Sequence, residues 1–180
     1  MSSLLENIHV SVNKHLYVKD PLTSSLGNNI LIGAIKLIDQ LGFEQFTFKK
    51  LAFEIKTTEA SIYRYFENKH KLLLYLTNWY WGCIATRLLF ETNNISSAED
   101  RLRRAIHILT SLPNPDTELL LQNEQILKRI VINEASKAVN TKEVDQENQE
   151  GIFSLYKEVV RSVVEIIKEI NPIYPYPNML

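Results

Sequence analysis

The fold is decided by the stretch TTEASIYRYFENKHKLLLYL, residues 57–76. On a helical wheel at about 100° per residue, Ile62 and Phe66 fall on one side, four positions apart. There they can pack against Leu51, Ala52 and Ile55 of the segment before them. The opposite side presents Ala60, Ser61 and Arg64, flanked by Tyr63 and Tyr65. The link between the two segments is only Lys56-Thr57-Thr58, and a small residue, Ala52, stands where crossing helices approach. Two short helices, a tight link and an outward polar face make a helix-turn-helix.

Working outward, Thr47 is placed to cap a second helix over residues 48–55, and Thr58 to cap a third over residues 59–66. Before them, Ile30, Ala34, Leu37, Ile38 and Leu41 repeat at helical spacing, so a first helix is expected from near Ser25 to Gly42. Residues 1–23 read as an irregular arm broken by Pro21. After the motif, Asn68 can cap a fourth helix that continues through KLLLYLTNWYWGCIATRLLF. That helix is apolar nearly all round and should be buried on several sides.

Three more helices are expected: residues 98–112, stopped by Pro113 to Pro115; residues 116–139; and residues 149–170, stopped by Asn171-Pro172. NTKEVDQENQE reads as a connector or frayed helix start, and PIYPYPNML as extended. The fold class is therefore all-α: a three-helix head joined by a long helix to a C-terminal helical bundle. The domains are an arm over residues 1–24, a helix-turn-helix domain over 25–68, and a regulatory or dimerisation body over 69–180.

Composition agrees with a globular helical chain. The 180 residues are 45% hydrophobic and 23% charged, with five glycines and six prolines. No apolar run has membrane-spanning length and no secretory leader is apparent, so a cytoplasmic protein without membrane association is expected. A single cysteine, Cys83, excludes an internal disulfide framework. The four histidines are scattered without a zinc spacing, so neither a metal nor a cofactor is expected. No nucleophile elbow, phosphate loop or paired carboxylates suggests an enzyme.

The formal net charge is −1, but it is unevenly spread. Residues 47–72 hold six Lys or Arg against three Glu, a balance of +3 that leaves −4 for the rest. A basic segment on an acidic body suits a chain that meets phosphate at one end only.

The chemistry of the exposed face fits duplex DNA. A reading helix enters the major groove by its N-terminal part, which would aim Ala60, Ser61 and Arg64 at base edges. Arg64 can bind guanine bidentately and the Ala60 methyl can meet a thymine methyl. Tyr63 and Tyr65 can donate to phosphate oxygens. Thr47, Thr58 and Lys69, at helix starts, add hydroxyls and an ammonium where helix N-termini also favour anions.

At these residues the sequence resembles the N-terminal domain of TetR/AcrR-type bacterial transcriptional regulators. The likeness lies in Thr47, Leu51-Ala52, Thr58, Ser61-Ile62-Tyr63-Arg64-Tyr65-Phe66, Lys69 and Leu72, and covers residues 26–75. Lys56 stands where the family usually has a turn glycine, Thr57 where it has a branched apolar residue, and Glu59 opens the reading helix. The resemblance implies a ligand-responsive repressor that binds a palindromic operator as a homodimer and leaves it when a small-molecule effector binds. It also implies an effector pocket, for which Trp79, Cys83, Arg87 and His107 are the candidates, although rings along such a helix most often fill a core or a dimer contact.

Family members commonly continue into further dimerising helices, so a short body or a truncated chain is expected, with the Val/Ile-rich last helix as the dimer surface. The alternative reading is a helical ligand-binding or protein-interaction module whose DNA-binding head has decayed, suggested by Lys56, Thr57 and Glu59.

Overall fold

In the computed structural model, which describes residues 10–111, 119–139, 141–177 and 179, the chain is all-α. Two 3-10 turns, Lys14–Leu16 and Pro21–Thr23, precede the helices. Helix α1 spans Ser25–Leu41, α2 Phe48–Glu54, α3 Glu59–Tyr63 and α4 Lys69–Thr92. Then come α5 (Ala98–Thr110), α6 (Leu119–Val139), α7 (Val144–Gln149) and α8 (Ser154–Ile170). Pro113 to Pro115 and the expected helix start at Asp116 lie outside the described residues.

The local chemistry sets the boundaries. Ser24, Thr47, Thr58 and Ser97 each accept a hydrogen bond from a backbone amide in the first turn of the helix that follows. Asn68 does the same for α4, its Oδ1 accepting from Lys71 N at 2.8 Å. Each such cap contributes about 1 kcal/mol. Gly42 ends α1 with φ 74° and donates its amide to Ile38 O.

The chain divides into two compact units. One comprises residues 13–80 and 112–152. In it α1 packs against the Pro21–Thr23 turn, α2 and α6, and α2 packs against α3. Ile30, Leu31, Ala34, Ile35 and Ile38 of α1 are buried with Leu51, Ile62 and Phe66. The apolar stripe of α1 is thus wider than its sequence spacing suggests, because Leu31 and Ile35 turn inward as well. A buried Val, Leu, Ile or Phe side chain contributes about 1.5–3 kcal/mol, so this set anchors the head.

Every residue from Leu72 to Tyr80 is buried, as an all-round apolar helix requires. The polar members of the run satisfy themselves: Thr77 Oγ1 donates to Leu73 O and Asn78 Nδ2 to Leu74 O. Burial, with Asp20 and Tyr17 adding to it, pushes the Tyr75 phenol far above its usual pKa.

Helix α6 is tied to α1 and its following turn by polar groups. Arg129 grips Asp39 with two hydrogen bonds of 3.0 and 2.8 Å, and Glu134 Oε1 accepts from Phe43 N at 3.3 Å. On α7, Glu147 is almost fully buried and meets His70 Nε2 at 3.0 Å and Lys71 Nζ at 3.4 Å. The stretch read as a connector or frayed helix start thus holds a short helix of its own, Val144–Gln149, with a structural task.

The other unit comprises residues 1–12, 81–111 and 153–180. Helices α5 and α8 pack along each other, burying Ala105 and Ile108 against the Val159, Val163, Val164 and Ile166 stripe. The last helix starts at Ser154, five residues later than expected. Gly151, at φ 76°, takes a left-handed conformation that separates α7 from α8. The tail is not extended but turned, with Tyr174 N donating to Asn171 O and Met179 N to Tyr176 O.

Candidate nucleic-acid interface

The exposed face of α3 is built by a helix that owns almost no core. Its one buried residue is Ile62, with Phe66 just past its end also fully buried. Thr58 fixes its start: Oγ1 accepts from Ser61 N at 3.2 Å and shares a 3.0 Å hydrogen bond with Ser61 Oγ. Arg64 Nη2 donates to the same Ser61 hydroxyl at 3.4 Å. Thr58, Ser61 and Arg64 thus form one connected polar group, with Ala60 exposed beside it.

Tyr63 is half exposed, and its ring meets Phe48 edge-on at 5.1 Å, which fixes its direction without hiding it. Thr47 is exposed and caps α2 through Lys50 N. The exposed lysines Lys49, Lys50 and Lys56 complete the basic surroundings.

The turn into this helix has a defined geometry. Lys56 adopts φ 55°, the sole left-handed non-glycine among the described residues. Its amide donates to Phe53 O and that of Thr57 to Ala52 O, the paired bonds of a Schellman ending to α2. Lysine thus performs the task usually given to glycine.

Two expected contact residues stand elsewhere than on the open face. Tyr65 is 4% exposed. Helix α3 ends at Tyr63 instead of running on to Phe66, and the amides of Tyr65 and Phe66 both donate to Ile62 O, a tightened turn that rotates the Tyr65 ring inward. Its hydroxyl shares a 2.8 Å hydrogen bond with Ser24 Oγ.

Lys69 is the second. Its ammonium donates to the carbonyls of Phe43, Glu44 and Phe46 at 3.0, 3.2 and 3.2 Å and lies over the Phe43 ring. All three ammonium hydrogens have partners, which makes the side chain a clamp on the α1–α2 turn.

The four residues considered for an effector pocket are differently placed. Trp79 is buried, Cys83 and Arg87 are half-buried, and His107 is exposed on α5. Arg87 pairs with Glu91 at 3.6 Å. A cleft of about 270 Å³ in the head is lined instead by Asn29, Ile32, Gly33, Lys36, Glu54, Ile55 and Lys56. Among the described residues no group of three or more His, Cys, Asp or Glu is placed to hold a metal, and no helix is long and apolar enough to cross a membrane.

An exposed polar helix on a capped helix-turn-helix defines a nucleic-acid-binding type of head. Residues 30–76 match the family model for bacterial regulatory proteins of the tetR family, so the chain carries the N-terminal domain of TetR-type regulators. No curated protein matches the chain. Several solved structures share its fold. AibR, solved with isovaleryl coenzyme A and operator DNA, superposes with a TM-score of 0.63 at 19% identity, over 84% of this chain and 76% of AibR. A putative transcriptional regulator from Saccharomonospora viridis, solved with choline, gives 0.56 at 23% identity over 78% and 67%. The fatty acid degradation regulator FadR from Bacillus halodurans gives 0.53 at 18% over 79% and 66%.

Proposed function

We propose that the protein is a TetR-type, DNA-binding transcriptional regulator whose α3 enters the major groove. One observation carries this reading: Ala60, Tyr63 and Arg64 are exposed, with Ser61 half-buried among them, on a helix and its C-cap whose opposite side is locked into the core by Ile62 and Phe66. In that arrangement Arg64 is the base-reading residue: its exposed guanidinium, which spends one weak hydrogen bond on Ser61, can form a bidentate pair with guanine. Tyr63 and Thr47 fix register through phosphate oxygens.

The regulator acts as a repressor, a homodimer on a palindromic operator, with half-sites about one DNA turn apart. A small-molecule effector releases it by favouring a spacing that DNA does not accept. The fold likeness to AibR and to the choline-bound regulator supports a ligand-responsive body, and an acyl thioester or a small cation are the first effectors to try.

Selection of bound fragments from a random duplex pool tests the reading. An inverted repeat should emerge, and Arg64→Ala should weaken its binding by about 1–3 kcal/mol while relaxing one base position. A second reading, a helical module with a decayed head, draws on the occupied Lys69 ammonium. It predicts no enrichment and little retention on duplex at any salt concentration. That result would end the regulator reading.

A further inference from the structure

The arm before α1, read as irregular, is fastened to the end of the reading helix. Val18 N donates to Tyr65 O at 2.8 Å, and Ser24 Oγ and Tyr65 Oη are hydrogen bonded. Asn13 and Asp20 each cap a 3-10 turn through their own side chains, and Leu16 and Pro21 are buried. The fit against α1 is close: a Cβ at Gly27 would stand 2.0 Å from Pro21 O. Residues 13–24 of the arm are therefore held in place by backbone bonds and packing.

That position brings a charge to the end of the reading helix. Lys19 is exposed, and its Nζ lies 5.2 Å from the centre of the Tyr65 ring. Tyr65 follows Arg64 directly, so a lysine from the arm and the arginine of the reading helix converge on one tyrosine. The hydrogen bond with Ser24 does most to hold the Tyr65 phenol below its usual pKa; Lys19 and Arg64 add to it, against the effect of burial. No carboxylate of the described residues lies within ion-pair distance of Lys19. The ring orients the ammonium by a cation–π contact and leaves it N–H donors for a further partner. A cation held at Tyr65, with no carboxylate partner among the described residues and with N–H donors to spare, suits a phosphate oxygen, which lysine binds as a point charge.

We propose that Lys19, carried by the arm and seated over Tyr65, is a DNA-phosphate contact of the reading head. The proposal rests on the DNA-binding reading above and adds to it a residue outside the helix-turn-helix. It also gives the inward Tyr65 a role: a platform that positions a phosphate contact in place of making one.

The test is the affinity of the full chain for a labelled mixed-sequence duplex across a series of potassium chloride concentrations. Each phosphate contact steepens the fall of log K against log salt by about 0.9. For Lys19→Ala the slope should become shallower by about that much per bound head, with roughly tenfold weaker binding at low salt, as befits loss of a charged hydrogen bond. Lys19→Arg should keep the slope, and Lys168→Ala on α8 should match the unaltered chain. Tyr65→Phe retains the ring and should also keep the slope.

An unaltered slope for Lys19→Ala overturns the proposal while leaving the regulator reading intact. So does weaker binding at an unchanged slope, because that marks a structural effect through Tyr65. Failure of the unaltered chain to bind duplex at any salt overturns both.

Discussion

Helices α3 and α4 follow each other in the chain and use their residues in opposite ways. In α3 only Ile62 is buried, whereas in α4 every residue from Leu72 to Tyr80 is. A helix of five residues has no stability of its own in water. It persists because Thr58 caps it, Ile62 and Phe66 anchor it, and Tyr65 ties its end to the arm. The comparison separates two tasks. The face offered to a partner is kept polar and poor in core, and the neighbouring helix supplies the burial that such a face cannot.

The largest effect expected from breaking this division is in α4. Leu73 has no exposed surface, so Leu73→Ala should lower stability by about 2–5 kcal/mol, read from the denaturation midpoint in urea. Ser61→Ala, on the open face, should stay within about 0.5–1 kcal/mol, since only partly exposed hydroxyl contacts are lost. Comparable losses for the two would mean that α3 belongs to the core and is not a presented face.

The next effect sharpens the boundary between the two helices. Lys69 opens α4 but reaches back to the carbonyls of Phe43, Glu44 and Phe46. Lys69→Met keeps the aliphatic stem and removes three donors, and should lower stability by about 1–3 kcal/mol. The salt slope of duplex binding should hardly change. The opposite pair of results, stability kept and slope reduced by about 0.9, would make Lys69 a phosphate contact after all.

Lys69 and Tyr65 also mark where the sequence stopped being legible. The caps at Thr47, Thr58 and Asn68, the end at Gly42 and the burial of Ile62 and Phe66 are written in neighbouring residues, and the helices formed where those residues put them. The wheel that set Tyr65 beside Arg64 assumed a helix reaching Phe66. The real turn after Tyr63 depends on a contact with Ser24, forty-one residues away. The partners of Lys69 are likewise 23 to 26 residues distant. The arm was opaque for the same reason: Lys19 gains meaning only once Val18 is bonded to Tyr65. Short-range patterns locate elements, while the direction of a surface side chain depends on what the fold brings next to it.

The smallest effect concerns the turn that joins α2 to the presented helix. A left-handed backbone costs a non-glycine residue about 1–2 kcal/mol, and Lys56 holds φ 55° with two Schellman hydrogen bonds formed around it. Lys56→Gly relieves that strain, but the freer unfolded chain takes back about 0.5–1 kcal/mol. The net gain should be about 0.5–1 kcal/mol in the denaturation midpoint. Lys56→Ala should bring none, because alanine meets the same Cβ clash. Equal stability for glycine and alanine would show that the turn is not strained at this residue. A gain for glycine alone would show that the chain keeps a less stable turn beside the presented helix, and the lysine charge beside the surface proposed to face phosphate is the reason to measure next: Lys56→Gly should then bind duplex more weakly at low salt while unfolding later.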